Sequence, residues 1–92
     1  MTDATILELV KKGNRLGIKG LYDKYSSQFL QLIRSLYPQI HEGKAEELLL
    51  HVLIRTWINR QRLPRSAEKL YPWLSSILRE ELIRLVPVTP SS

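Results

Sequence analysis

Apolar residues along this chain return every three or four positions in four separate stretches, and nowhere do they alternate with polar ones over a strand length. That period is the helical one, because a turn of α-helix holds 3.6 residues and a buried stripe must come back to the same face. The surest stretch begins at Ile18 and continues through Leu21, Tyr22, Tyr25, Phe29, Leu32, Ile33 and Leu36. It predicts a helix of about five turns that stops just before Pro38, since the residue ahead of a proline is pushed out of the helical region and proline has no amide hydrogen to donate. Upstream, Ile6, Leu9 and Val10 predict a short helix capped by Asp3, ended by Lys11-Lys12-Gly13-Asn14 and packed as a lid.

Gln39 to Gly43 reads as a turn, and a second long helix is predicted from about Lys44 to Arg60. Its polar side is narrow. Lys44, Glu47, His51, Arg55 and Asn59 line one edge, while Leu48, Leu49, Leu50, Val52, Leu53, Ile54 and Trp57 spread over most of the remaining circumference. A surface helix needs an apolar stripe only a little wider than about 100°. Two explanations fit the excess: a central helix covered by several neighbours, or a helix whose Leu50, Ile54 and Trp57 project beyond the domain's own core to meet a partner.

Gln61 to Leu70 is the one internal loop, and Arg60, Arg62, Arg65 and Lys69 concentrate basic charge around Pro64. Pro72 suits the first turn of a last helix, whose buried side is Trp73, Leu74, Ile77, Leu78, Leu82 and Leu85, ended by Pro87. The predicted architecture is all-α: one compact bundle of about four helices over residues 1–86, followed by a Pro/Ser tail or truncated linker over 87–92.

Composition narrows the picture further. Ninety-two residues hold one core and not two domains. Fourteen Lys and Arg against nine Asp and Glu give +5, a balance that favours polyanionic partners without requiring them. The absence of cysteine removes disulfides and thiol chemistry and fits a cytoplasmic location. No apolar run approaches a membrane span, and no basic start leads into an apolar leader. Catalytic chemistry is not spaced into this chain either: His41 falls in a turn and His51 on the polar side of a helix, with no nucleophile set beside a base. The chain is expected to be no enzyme, to need no cofactor and to hold no metal. Glu46-Glu47 and Glu80-Glu81 read as solvated helix charges, with Glu47 to His51 and Glu80 to Arg84 as i, i+4 pairs.

Several short motifs in order carry a family resemblance: Leu21-Tyr22-Asp23-Lys24-Tyr25 with Phe29 and Leu32, then Ala45-Glu46-Glu47-Leu48 and Val52-Leu53-Ile54-Arg55-Thr56-Trp57, then Trp73-Leu74 with Ile77 and Arg79. Together, over Leu16 to Leu85, these are similar to the second conserved region of extracytoplasmic-function sigma factors. That resemblance implies a non-catalytic transcription initiation module that grips the clamp helices of the RNA polymerase core and binds unpaired single-stranded promoter DNA. An anti-sigma regulator is a further partner it implies.

By the same resemblance, Glu47, Leu50, His51 and Ile54 fall on the partner-binding face, where the family usually carries an aspartate followed by a glutamine-glutamate pair. Glu47 keeps the charge, and Leu50 and His51 do not, which points to altered polymerase contact or to a different protein partner. Arg60-Gln61-Arg62-Leu63-Pro64-Arg65 resembles the segment that captures a flipped base, so Arg60, Arg62, Arg65, Lys69 and Arg79 are the DNA-binding candidates, with Tyr71 either a stacking residue or core. On the last helix the family usually carries an asparagine after the arginine matching Arg79, with an aspartate and basic residues further on; this chain has Glu80, Glu81 and Arg84 instead, and carboxylates repel a phosphate strand. The family's second domain, a helix-turn-helix, has no counterpart in these 92 residues.

Overall fold

The computed structural model describes residues 1–85, the side chain of Leu85 excepted; the expected end of the last helix at Pro87 and the tail over 87–92 lie outside the described residues. Four α-helices follow one another: α1 (Asp3–Lys11), α2 (Arg15–Leu36), α3 (Glu42–Ile58) and α4 (Leu70–Leu85), with 3-10 turns at Arg60–Arg62 and Ala67–Lys69. No strand occurs among the described residues. The fold is the all-helical bundle that the periodicity predicts, elongated at 47 × 22 × 20 Å.

Each boundary has a local cause. Thr2 caps α1 by accepting the amide of Thr5 at 3.2 Å, which corrects the assignment of Asp3 as cap. Asp3 stands inside the first turn, and its carboxylate reaches across to α2, where Lys24 and Tyr25 each donate to it at 2.6 Å. Gly13 ends α1 in the left-handed region at φ 77°, donating to the carbonyl of Val10, and Asn14 then caps α2 through the amide of Leu16. α2 therefore starts at Arg15, three residues ahead of the first periodic position, and ends at Leu36, with Tyr37 as its cap and Pro38 beyond.

α3 opens two residues earlier than the pattern suggests because His41 caps it, Nδ1 accepting the amide of Gly43 at 3.1 Å, while Arg34 of α2 pairs with Glu42. It also closes two residues earlier, at Ile58. Pro72 sits in the first turn of α4, where an amide would have no intrahelical acceptor.

The core is one cluster drawn from every helix. Ile6, Leu7 and Val10 of α1 meet Leu21, Phe29 and Ile33 of α2, Leu48, Leu49 and Val52 of α3, and Leu74 and Leu78 of α4. α1 packs on α2, α2 on α3, and α3 on α4, and α1 also touches both 3-10 turns. Leu63, between those turns, is buried, so the predicted loop is partly an anchored segment. Tyr71 belongs to the core: its ring stacks on Phe29 at 5.5 Å between centroids and lies 5.7 Å from Tyr25. Tyr22 and Leu36, which the pattern places on the buried side of α2, are exposed, because no element covers the margins of so long a helix.

Candidate functional site

The two explanations for the apolar excess of α3 each account for part of it. Packed between α2 and α4, the helix buries Ala45, Leu48, Leu49, Val52, Leu53 and Thr56. Its remaining face stays open. Leu50 is 55% exposed, Ile54 54% and Ile58 68%, at a strict spacing of four residues that stacks them in one stripe. Ile58 was not singled out by the sequence pattern, although it continues that spacing by one more turn.

Beside this stripe runs an open groove of about 340 Å³, floored and walled by Ile18 of α2 and by Leu50, Leu53, Ile54 and Trp57 of α3, with Arg15 at its edge. The end near Arg15 is cationic twice over. The Arg60 guanidinium lies 4.7 Å from the centre of the Trp57 ring and donates to the Trp57 carbonyl at 3.0 Å. A methyl group placed on Gly13 would come within 3.8 Å of Arg60 Nε, so this side chain extends from the end of α3 to the turn that precedes Arg15. Among the described residues neither Arg15 nor Arg60 forms an ion pair.

The other edge of the α3 face is held by charges. Glu47 pairs with Lys44 at 3.2 Å, not with His51. His51 Nδ1 lies 3.9 Å from Glu81 Oε2, and Arg55 donates to Glu80 at 2.9 Å and to Glu81 at 3.2 Å. Glu81 is therefore no solvated charge. It is 6% exposed and wedged between α3 and α4, with Arg84 at 3.9 Å on its own helix. The helical register holds the reason: position 81 follows Leu74 by seven, Ile77 by four and Leu78 by three, which puts it on the buried side of α4. Glu80 pairs across to Arg55 and not with Arg84 as expected. The hydrogen bond to Glu80, opposed by partial desolvation and joined by the bond to Glu81, pushes the Arg55 pKa up from its ordinary value.

The basic residues of the loop spread over different surfaces. Arg60 borders the apolar groove. Arg62 lines a groove of about 220 Å³ with Arg55, Asn59, Trp73, Ser76 and Glu80, between the end of α3 and the start of α4. Arg65 faces α1 across a third depression that Glu8 and Lys11 also line. Lys69 is exposed at the end of the second 3-10 turn, and Arg79 is exposed on α4. The structure thus brings Leu50 and Ile54 together with Trp57 and the Arg15–Arg60 end, and it does not gather Arg60, Arg62 and Arg65 into one pocket.

Among the described residues, no group of three or more His, Asp or Glu is placed to hold a metal ion, and no helix is long and apolar enough to cross a membrane. No protein-family model matches the chain, and no curated protein or solved structure is significantly similar to it.

Proposed function

We propose that the chain is a non-catalytic, sigma-like helical module that docks a protein partner through the exposed face of α3. One observation carries this reading. Leu50, Ile54 and Ile58 are each more than half exposed in a single stripe, on a helix whose opposite face is fully built into the core. A contiguous apolar stripe on water is rare in a small soluble domain and marks interaction surfaces, whereas scattered single residues mark nothing. The sigma region-two resemblance brings the clamp helices of the RNA polymerase core, or an anti-sigma regulator, to this same face. Leu50, which replaces one residue of the family's polar pair, makes the contact here more apolar.

The test is retention of the folded domain on immobilised RNA polymerase core, compared with a Leu50→Asp/Ile54→Asp variant of unchanged helicity. Retention by the wild type that the variant loses supports the reading. Retention equal in both, or absent from both, overturns polymerase docking through α3.

A second reading, binding of unpaired promoter DNA, is favoured by a different observation. Trp73 shares its groove with Arg62, Arg55 and Asn59, so a flat apolar surface, cations and an amide meet there. Stacking of a base on an aromatic ring is worth about 1–3 kcal/mol, and arginine pairs with the adjoining phosphates. Glu80 lines the same groove and opposes phosphate entry. Titration of a single-stranded promoter-like oligonucleotide at two salt concentrations tests it. Two phosphate contacts from Arg55 and Arg62, the cations of that groove, predict a slope of log affinity on log salt of about −1.4, roughly halved in an Arg62→Ala variant. A flat salt response sinks this reading.

A further inference from the structure

We infer that the groove between α2 and α3 is built to hold an acidic amphipathic helix of a partner protein, its apolar side on Leu50, Ile54 and Trp57 and its carboxylates at Arg15 and Arg60. This deepens the reading of α3 as a protein-docking face and rests on it.

The apolar part of the argument is geometric. The stripe from Leu50 to Ile58 covers eight residue-to-residue rises, about 12 Å at 1.5 Å each, the length over which a helix presents apolar side chains at i, i+3 or i+4, and i+7. Ile18 and Leu53 floor the groove between two nearly filled helices, and a helix laid in such a trough buries one face and leaves its other to solvent. An extended strand would need an open sheet edge for its backbone amides, and none exists among the described residues.

Charge decides the partner's chemistry. Along the helices Lys12 is matched by Glu8, Lys24 by Asp3, Arg34 by Glu42, Lys44 by Glu47 and Arg55 by Glu80 and Glu81, while Lys11, Lys19 and Arg79 have no ion pair among the described residues. What sets the groove apart is position: Arg15 lines it, Arg60 lies over the ring of Trp57, another of its walls, and neither has a carboxylate among the described residues. Arg60 is moreover held in place by the Trp57 ring and carbonyl, so less side-chain freedom is lost when an anion meets it. Two unpaired guanidinium groups, one of them held on the Trp57 ring, beside a largely aliphatic trough select a helix with aspartate or glutamate beside its apolar stripe, and disfavour one with lysine there. A nucleic-acid strand fits the trough poorly, because its walls are aliphatic but for Trp57, whose ring already faces the Arg60 guanidinium, and offer no further cation along their length.

Two synthetic helical peptides with the same leucine stripe, one flanked by glutamates and one by lysines, provide the test against the whole domain. The acidic peptide is expected to bind at least about ten-fold more tightly, a difference of about 1.4 kcal/mol. Arg15→Glu/Arg60→Glu should invert that preference, and Leu50→Asp/Ile54→Asp should abolish binding of both peptides with helicity intact. Equal binding of the two peptides, or a preference that survives the arginine reversal, overturns the acidic-helix inference and leaves α3 docking standing. Binding of neither peptide overturns the inference as well, and polymerase retention then reports separately on the α3 face. Concentration-dependent dimerisation of the wild type that Ile54→Asp abolishes would mean that a second copy covers the groove, and would also overturn it.

Discussion

Arg55 on α3 and Glu81 on α4 meet at 3.2 Å across the interface of the two helices, the guanidinium half-shielded and the carboxylate nearly closed off from water. This contact separates two neighbouring carboxylates that look alike in the sequence. Glu81→Gln removes an acceptor from inside the interface and is expected to cost about 1–3 kcal/mol, whereas Glu80→Gln, at an exposed pair, should cost under about 1 kcal/mol. Replacing both inner partners, Arg55→Met with Glu81→Leu, should recover most of the loss, since apolar residues of similar size substitute well for a buried pair. Urea unfolding of the three variants checks the order; a larger loss for Glu80→Gln would refute it.

The bond from Tyr25 to Asp3 ties α1 to α2 and gives the domain two pH limits. Burial of the Asp3 carboxyl raises its pKa, but the hydrogen bonds from Lys24 and Tyr25 outweigh that and hold it below the ordinary carboxylate value. Its contribution is complete above the unfolded value near about pH 4 and is lost as pH falls through the folded one. Tyr25 moves the other way: burial first, then the bond to Asp3, pushes its pKa above the usual phenol value, so its contribution is complete below about pH 10 and is lost at higher pH. Thermal unfolding across pH should show Asp3→Asn flattening the acid limb and Tyr25→Phe the alkaline limb. Identical profiles for wild type and variants would exclude the linkage.

Gly17 and Gly20 lie one turn apart on α2 under α1, yet they should answer alanine oppositely. A methyl at Gly17 would meet the backbone nitrogen of Val10 at 2.7 Å, so α1 itself must move, at a cost of about 1–3 kcal/mol. At Gly20 the closest atom is the Met1 sulfur at 2.6 Å, the end of a flexible side chain that can swing away. There the gain in helix propensity, up to about 1 kcal/mol, should prevail. Melting temperatures of Gly17→Ala and Gly20→Ala decide it by their signs.

Leu50 and Leu53 differ in the same manner on α3. Leu53→Ala should cost about 2–4 kcal/mol as a buried leucine, while Leu50→Asp should stay within about 1 kcal/mol. Circular dichroism and urea midpoints test this, and an unfolded Leu50→Asp variant would mean that the residue belongs to the core.

The helices, their number and their order were legible because their apolar period is strong and Pro38, Gly13 and Pro72 punctuate it. Capping was less so. Thr2 and Asp3 are both good caps, and the choice between them was made by Lys24 and Tyr25, some twenty residues away. The projection of Leu50 and Ile54 was one of two alternatives, and resolving it required knowing how much of α3 its neighbours cover. Glu81 was misread because a doubled glutamate looks solvent-seeking, although its phase with Leu74 and Ile77 places it inward. Arg60 and Trp57 are i, i+3 neighbours, but the approach of Arg60 to Gly13 had no local signal, since it depends on how α1 turns into α2 beside the end of α3.

α1 rests on α2 and on both 3-10 turns, so nine residues near one end of the chain close over a segment sixty positions later. Opening that helix breaks the Asp3 latch and uncovers the seat of the turns around Leu63 in one event. Amide exchange should accordingly find α1 and residues 60–69 released together, at a lower free energy than the α2–α3–α4 body, as a single cooperative unit assembled from two distant pieces of sequence.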